Sequence, residues 1–355
     1  MGQGSLAGWQ LPTQIEPFGV DDAEPAAAGL LSTPSLPLAA LLAEPESGRY
    51  DEPMRVKLRL FSCGLLAATV LGLVATWLAG SVMTAGHHSL VAAATPPSRD
   101  VRFRAKDGVS IAATYTPGVS DHSPGVLLLH GVGASRQATA ANAAWLASLG
   151  YATLAIDFRG HGQSDIIRRT FGLDEALDAH AAFAWLKRQQ NGAPVAIIGI
   201  SLGGAASLLG EGGPIPAEAL ILQAVYPDIR HAIRNRIASR TSAGIGYVLE
   251  PLLSFQAPLR FGVWPSRLSP LKALPQYRGP VLVIGGDQDR STPPEETNAM
   301  FAAVQGHKQL WLVPKGDHAA ICDLADETYR NRVRAFLGAT IGRPRGAPAG
   351  TSASE

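Results

Sequence analysis

The sequence predicts an α/β protein whose core is a doubly wound, mostly parallel sheet. From about residue 100 onward, short apolar runs alternate with segments of helical character, which is the pattern of repeated strand–helix units. The runs are apolar throughout, as expected of strands that helices cover on both faces. In such a sheet, ligands bind beyond the carboxyl ends of the strands. Polar residues that directly follow a strand are therefore the candidates for function.

The predicted elements follow in order along the chain. A hairpin is predicted over Val101–Tyr115, with Asp107-Gly108 at its turn. Further strands are predicted at Gly125–Leu129, Ala152–Ile156, Pro194–Ile200, Ala219–Gln223, Val281–Ile284 and Gln309–Val313. Helices are predicted at Gln137–Leu149, Asp174–Gln190, Leu202–Gly210, Pro294–Ala303 and Leu324–Leu337. The second helix carries an apolar stripe at helical spacing, formed by Leu173, Leu177, Ala181 and Ala184.

Two terminal regions differ from this pattern in composition. Residues 1–54 are rich in Ala, Pro and Leu and carry eight acidic residues against one basic residue. They show no sustained periodicity, which predicts a disordered tail, with a loosely structured partner-binding tail as the alternative. Residues 339–355, rich in Gly, Pro and Ser, are predicted to form a disordered C-terminal tail.

An uncharged apolar segment over residues 60–86 is long enough to cross a bilayer, for which about 20 residues suffice. Basic residues precede it at 55, 57 and 59, whereas only two histidines follow it directly. This bias predicts a membrane anchor over residues 55–86, with its N-terminal side in the cytoplasm and the following domain on the extracytoplasmic side. The alternative is a signal peptide that starts at Met54 and is cleaved near residues 91–94, which would make the protein secreted.

Composition and cysteine count exclude several function classes. A formal charge of +1 argues against nucleic-acid binding driven by phosphate neutralisation. The two cysteines, Cys63 and Cys322, form neither a disulfide framework nor a zinc-ligand set. We therefore expect no metal, no cofactor and no nucleic-acid partner.

The segment AIIGISLGGAAS places Ser201 directly after a predicted strand and before a predicted helix. A serine at a helix start often only caps the helix. Here Gly199 and Gly203 flank the serine two positions away on each side, as a sharp strand-to-helix turn requires, and Gly204 allows the helix to pack closely. A capping serine needs none of these glycines, so the pattern predicts a nucleophile.

A nucleophilic serine needs a base and an acid that orients the base. The strand at 281–284 is followed by GGDQD, which ends at Asp289, and the next strand is followed by GDH, which ends at His318. The order Ser201, Asp289, His318 is the order expected on this type of sheet. Asp287 and Asp228 also follow strands and remain alternatives for the acid.

An oxyanion intermediate needs two backbone donors. The Leu202 N–H at the helix start is one candidate, and the Val132 N–H in the HGVG loop after the first parallel strand is the other. His130 begins that loop and is predicted to orient it.

The motifs HGVGAS, DFRGHGQSD, GISLGG, GGDQD and GDH, in this order, resemble the α/β-hydrolase superfamily, and within it the serine-aminopeptidase-like and monoacylglycerol-lipase-like branch. The resemblance covers about residues 100–338 and implies a catalytic domain over 96–338 with the triad Ser201, Asp289 and His318. It implies a structural role for the loop from Asp157 to Asp165, so Arg159 and His161 are not expected to be bases. GDH stands where the family often has GH, which leaves Asp317 without a predicted role.

The resemblance also implies a lid at residues 228–279, between two strands. Its apolar residues suit an acyl chain or an aromatic ester, and its arginines suit an anionic substrate, a lipid surface or a solvated face. The expected activity is hydrolysis of a small-molecule or lipid-like ester, a thioester or an amide. The alternative from another class is a non-catalytic, membrane-tethered binding or scaffold protein on the same fold.

Overall fold

A computed structural model describes residues 52–318 and 327–344. Most of the predicted acidic tail, residue Cys322 and the end of the predicted C-terminal tail lie outside the described residues. The described chain divides into two units by its internal contacts, with the boundary between residues 63 and 64, inside the first helix.

The described elements agree closely with those predicted. The strands are β1 (Arg99–Arg104), β2 (Ser110–Thr116), β3 (Gly125–Leu129), β4 (Ala152–Ile156), β5 (Val195–Ile200), β6 (Ala219–Gln223), β7 (Val281–Gly286) and β8 (Lys308–Val313). The helices are α1 (Glu52–Thr84), α2 (Ala140–Ser148), α3 (Glu175–Gln189), α4 (Leu202–Leu208), α5 (Ile229–Ala238), α6 (Ala243–Ser254), α7 (Ala257–Phe261), α8 (Pro270–Ala273), α9 (Pro294–Ala303) and α10 (Glu327–Thr340).

The strands form one eight-stranded sheet in the order β1-β2-β4-β3-β5-β6-β7-β8. The hairpin β1–β2 and the pair β2–β4 are antiparallel, and every other pair is parallel. On β3, Leu127 and Leu129 enter one hydrophobic cluster, whereas Val126 and Leu128 enter the cluster on the opposite face. This two-sided burial explains why the strand is apolar at every position and confirms the predicted fold class.

Helix α3 does not bury the stripe that the sequence predicts. Ala184 is exposed and Leu177 is only partly buried, while the fully buried face includes the acidic residues Glu175 and Asp178. Both carboxylates are hydrogen-bonded, Glu175 by Thr170 and Asp178 by an arginine described below. A charge can be buried when it is paired, and apolar periodicity cannot reveal such a pair.

The apolar part of α1, Met54–Thr84, is long and apolar enough to cross a membrane by length and composition. Its C-terminal turns belong to the second unit and contact α7 and the residue directly before it. Arg260 donates to the Trp77 carbonyl at 2.6 Å and lies 4.0 Å above the Trp77 ring, and it also bonds the Ser81 hydroxyl. Gln256 donates to the carbonyl of Thr76. This end of the helix is therefore part of the folded domain.

The segment after α1 continues this contact. The N–H groups of His87 and Ser89 donate to the carbonyls of Gly160 and Gly162, and the Thr84 carbonyl accepts from the Arg169 N–H. The domain boundary predicted at residue 96 thus leaves out residues that bond directly to the sheet domain.

The region between β6 and β7 is built from α5, α6, α7 and α8. In α5, Ile229 and Ile233 are buried in a hydrophobic cluster that also contains Ala257 and Leu268. At the C-terminus, α10 continues to Thr340 and Ile341 is buried. The start of the C-terminal tail predicted at residue 339 is therefore too early.

Candidate active site

Ser201 occupies the sharp turn between β5 and α4. Its φ of 50° and ψ of −107° are unusual for a residue with a side chain, and the residue is 5% exposed. Although it stands at the N-cap position, its hydroxyl makes no capping hydrogen bond. Strained backbone of this kind persists only where the surroundings impose it, and it is concentrated at functional sites. Ser201 is therefore not simply a helix-capping residue, because its side chain does not bond to the start of α4.

The neighbouring glycines are required by space. A Cβ atom on Gly199 would lie 2.6 Å from the Gly204 backbone, and a Cβ on Gly203 would overlap the carbonyl oxygen of Leu129. A Cβ on Gly204 would overlap the side chain of Val225. The turn can press against β3 and β6 only when these positions lack side chains.

His318 and Asp289 lie together after β8 and β7. The Nδ1 atom of His318 is 2.7 Å from Oδ2 of Asp289, whose side chain is buried. The other oxygen, Oδ1, accepts from the backbone N–H groups of Ser291 and Thr292 at 2.7 and 2.9 Å. The carboxylate is thereby fixed in position, and its contact with Nδ1 orients the imidazole.

The other two candidate acids lie elsewhere. Asp287 is exposed. Asp228 caps α5 by accepting from the His231 N–H and also pairs with the His231 ring. Among the three candidate aspartates, the structure brings Asp289 to His318. Asp317 forms interactions of its own and lies directly before His318.

Two buried histidines hold the loop that contains Val132. His130 places Nδ1 2.7 Å from the Gly131 carbonyl and accepts from the Phe158 N–H at Nε2. His161 places Nδ1 2.9 Å from the Arg159 carbonyl and accepts from the Gly133 N–H at Nε2. These partners require the neutral tautomer with the proton on Nδ1 in both rings.

Burial also keeps these two histidines neutral. It lowers the pKa of His130 to about 4. Burial and the neighbouring His130 lower the pKa of His161 to about 3. Neither ring is therefore placed or poised as a base, in agreement with the structural roles predicted from the sequence.

An ion-pair network under this loop was not evident from the sequence. Arg136 donates to Asp157 through its backbone N–H and its guanidinium, and Asp157 also accepts from the Gln163 N–H. Arg159 is 2% exposed and is bound by two carboxylates, Asp178 and Asp107. The motif DFRGHGQSD is the sequence signal that could have located the network, but its partners come from distant elements.

A cavity of about 190 Å³ joins the candidate residues. Ser201, His318, Val132 and Leu202 all line it. The rest of its wall comes from α1, the loop before α3, the turn after β6, α5 and the loop before α9: Met83, Phe171, Tyr226, Ile229, Ala232, Ile233, Arg236, Arg240, Ser291 and Thr292. The sequence did not predict that α1 would contribute Met83 to the wall of this cavity. Within residues 52–318 and 327–344, no cluster of His, Cys, Asp or Glu is arranged to hold a metal ion.

Comparisons with known proteins agree with this fold. A family model described as serine aminopeptidase, S33, matches residues 120–256. The protein YqkD of Bacillus subtilis is 30% identical over 194 residues, which are 53% of this chain and 63% of YqkD. The protein YfhR of Escherichia coli O157:H7 is 24% identical over 249 residues, covering 68% of this chain and 80% of YfhR.

A solved structure of the esterase Pf2001 from Pyrococcus furiosus superposes with a TM-score of 0.58 at 23% identity, over 73% of this chain and 99% of that chain. Together with the eight-stranded sheet, these matches confirm the predicted resemblance to the α/β-hydrolase superfamily and its serine-aminopeptidase-like branch. The chain has the α/β-hydrolase fold.

Proposed function

We propose that the protein is a serine hydrolase that cleaves an ester bond through an acyl-enzyme. The observation that carries this proposal is that Ser201 lines the same cavity as His318, whose ring Asp289 orients. The backbone of Ser201 is strained, and its hydroxyl makes no capping hydrogen bond. The family match and the esterase neighbour support the same class of reaction.

The proposed mechanism assigns one role to each group. Nε2 of His318 takes the proton of the Ser201 hydroxyl while the serine oxygen bonds to the ester carbonyl carbon. Asp289 holds the ring in the required tautomer and stabilises the imidazolium. The backbone N–H groups of Val132 and Leu202 donate to the oxyanion, which gains charge in the transition state.

Collapse of this intermediate breaks the bond to the leaving alcohol, which takes the proton from His318. Water then attacks the acyl-enzyme with His318 as base, and Ser201 is released with its proton. A thioester or an amide would follow the same route with a thiol or an amine as the leaving group.

We further propose that α1 anchors the protein in a membrane, with the catalytic domain on the extracytoplasmic side as the distribution of basic residues predicts. The contacts of Arg260 with Trp77 and of residues 84–89 with the loop near Gly160 support an anchor that is retained. Cleavage near residues 91–94 would remove every one of these contacts and also Met83 from the cavity.

Labelling with a fluorophosphonate probe tests the proposal on the full chain in detergent. We expect the wild type to be labelled, Ser201→Ala to be unlabelled, and Ser148→Ala, which changes an exposed serine on α2, to be labelled like the wild type. A folded wild type that takes no label and hydrolyses no ester would exclude the enzyme and favour the binding or scaffold alternative.

A further inference from the structure

The wall that α5 contributes to the candidate active-site cavity changes from apolar to cationic along its length. Ile229, Ile233, Arg236 and Arg240 are spaced to lie on one side of α5 and its C-terminal extension, and all four line the cavity. Met83 and Phe171 join the lining together with the two isoleucines. The cavity therefore combines apolar side chains with two guanidinium groups beside the catalytic candidates.

The arginines of α5 and its C-terminal extension differ in what their guanidinium groups contact. Arg230 forms a two-pronged ion pair with Glu250, and Arg234 lies 4.7 Å above the ring of Tyr247. Among the residues that the structure describes, the guanidinium groups of Arg236 and Arg240 form no ion pair and no hydrogen bond. These two arginines, which also lie over no aromatic ring in the described part of the chain, are the ones that line the cavity.

Arg236 is partly buried and Arg240 is exposed at the edge of the cavity, and their like charges repel each other. Burial and the like charge of Arg240 lower the pKa of Arg236. The negative charge of Asp289 raises this pKa but does not offset the other two effects. The oxygens of Asp289 are already occupied by Ser291, Thr292 and His318. Arginine stays protonated in proteins, so the two positive charges persist in the cavity.

We propose that Arg236 and Arg240 bind an anionic group of the substrate, so that the enzyme acts on esters that carry a carboxylate or phosphate in addition to the scissile bond. The planar donors of guanidinium match the oxygens of both groups, and the isoleucines and Met83 would receive the apolar part of the same molecule. The inference rests on the proposed hydrolase function, since it concerns the same cavity.

The test compares esters in matched charged and neutral pairs, using the full chain in detergent. The first pair is the 4-nitrophenyl monoester of glutarate and its carboxamide analogue, with the charge in the acyl part. The second pair is 4-acetoxybutanoate and 4-acetoxybutanamide, and the third is 1-acetylglycerol 3-phosphate and 1-acetylglycerol. The second and third pairs place a carboxylate or a phosphate in the alcohol part.

We expect kcat/KM to favour the charged ester at least tenfold in one or more pairs, and the favoured pair identifies the anion and its position. Arg236→Gln and Arg240→Gln should each reduce this ratio at least fivefold, and Arg236→Lys should give an intermediate ratio. Arg234→Gln is the matched control on the same helix and should retain the wild-type ratio. Added salt should lower the ratio in the wild type, which provides a test that needs no variant.

Two results would overturn the inference: no pair in which the charged ester is favoured, or a preference that Arg236→Gln and Arg240→Gln leave unchanged. In either case, continued hydrolysis of the neutral esters and labelling of Ser201 would leave the proposed hydrolase function standing. Loss of labelling together with inactivity on all six esters would instead remove the proposed function itself.

Discussion

Nε2 of His161 accepts a hydrogen bond from the Gly133 N–H at 3.1 Å, which connects the loop after β4 to the loop that carries Val132. The same loop after β4 accepts hydrogen bonds from residues 87 and 89, directly beyond α1. The proposed oxyanion donor is thus supported by a chain of contacts that reaches from the apolar helix to the cavity.

His161→Ala should lower kcat because the loop with Val132 loses a fixed hydrogen bond. Removal of a direct oxyanion donor typically costs 10²–10³-fold, so we expect a smaller loss, about 10-fold to 100-fold, for this indirect change. His161→Gln can present an acceptor to Gly133 and should restore part of kcat. Steady-state kinetics with 4-nitrophenyl butyrate provides the measurement, and a change confined to KM would contradict the positioning role.

Asp289→Asn should reduce kcat by about 10³–10⁴-fold, because the amide cannot hold the histidine in the reactive tautomer as the carboxylate does. Asp287→Asn changes an exposed residue and should have little effect. Asp228→Asn should retain activity, since asparagine also caps helices. The same kinetic assay compares the three variants, and full activity of Asp289→Asn would show that the acid is another residue.

Gly203→Ala should destabilise the protein by about 1–3 kcal/mol and reduce labelling of Ser201, because the new methyl group collides with the Leu129 carbonyl. Gly244→Ala is the matched control, as a Cβ there meets no atom within 4 Å. It should be neutral or stabilising by about 0.5–1 kcal/mol. Thermal unfolding followed by tryptophan fluorescence gives both values, and equal stability of the two variants would refute the steric argument.

The stability of the protein should decrease as the pH falls from about 6.5 to 4, in part because of His130. The unfolded chain binds a proton at this residue below its ordinary pKa of 6.5, whereas the folded protein does not until the pH reaches about 4. The unfolded state therefore binds more protons in this window, and stability rises with pH. The full contribution is on the order of 3 kcal/mol.

Urea unfolding at several pH values, with His130→Gln as the reference, isolates this contribution. Glutamine does not titrate, so the difference in unfolding free energy between the two proteins should shrink as the pH is lowered. A difference that is constant between pH 4 and 7 would disprove the assignment to His130.

A chain that starts at residue 96 should be less stable than one that starts at residue 76. The shorter chain loses the bonds from residues 84–89 and uncovers Phe171 and the other apolar groups near Met83. A loss of about 2 kcal/mol would lower Tm by about 4–8 °C in a domain of this size. Calorimetry in the same detergent compares the chains, and equal Tm values would show that α1 is only an attachment.

Local sequence patterns predicted most of the strands and helices and the position of the proposed nucleophile. Six of the apolar runs match strands to within two residues at each end, because burial on both faces imposes an uninterrupted apolar stretch. The glycines around Ser201 were informative for a similar reason. At each of these positions, a strand-to-helix turn of this kind brings another atom so close that a Cβ would collide with it.

The sequence favoured Asp289 as the acid but left Asp287 and Asp228 open as alternatives. Asp287 and Asp289 follow the same strand, and only the course of the loop toward His318 separates them. The buried Asp178 of α3 escaped the apolar pattern because its partner, Arg159, lies on the loop after β4.

The sequence by itself determined the order of strands and helices, the turn at Ser201 and the apolar character of α1, since each depends on neighbours within a few residues. The tertiary structure decided between Asp289 and its two alternatives, determined which backbone groups the loop histidines bond, and placed Met83 and two arginines in the cavity with Ser201. These relationships join segments far apart in the chain, and their energies come from burial and charge pairing that exist only after the segments have packed.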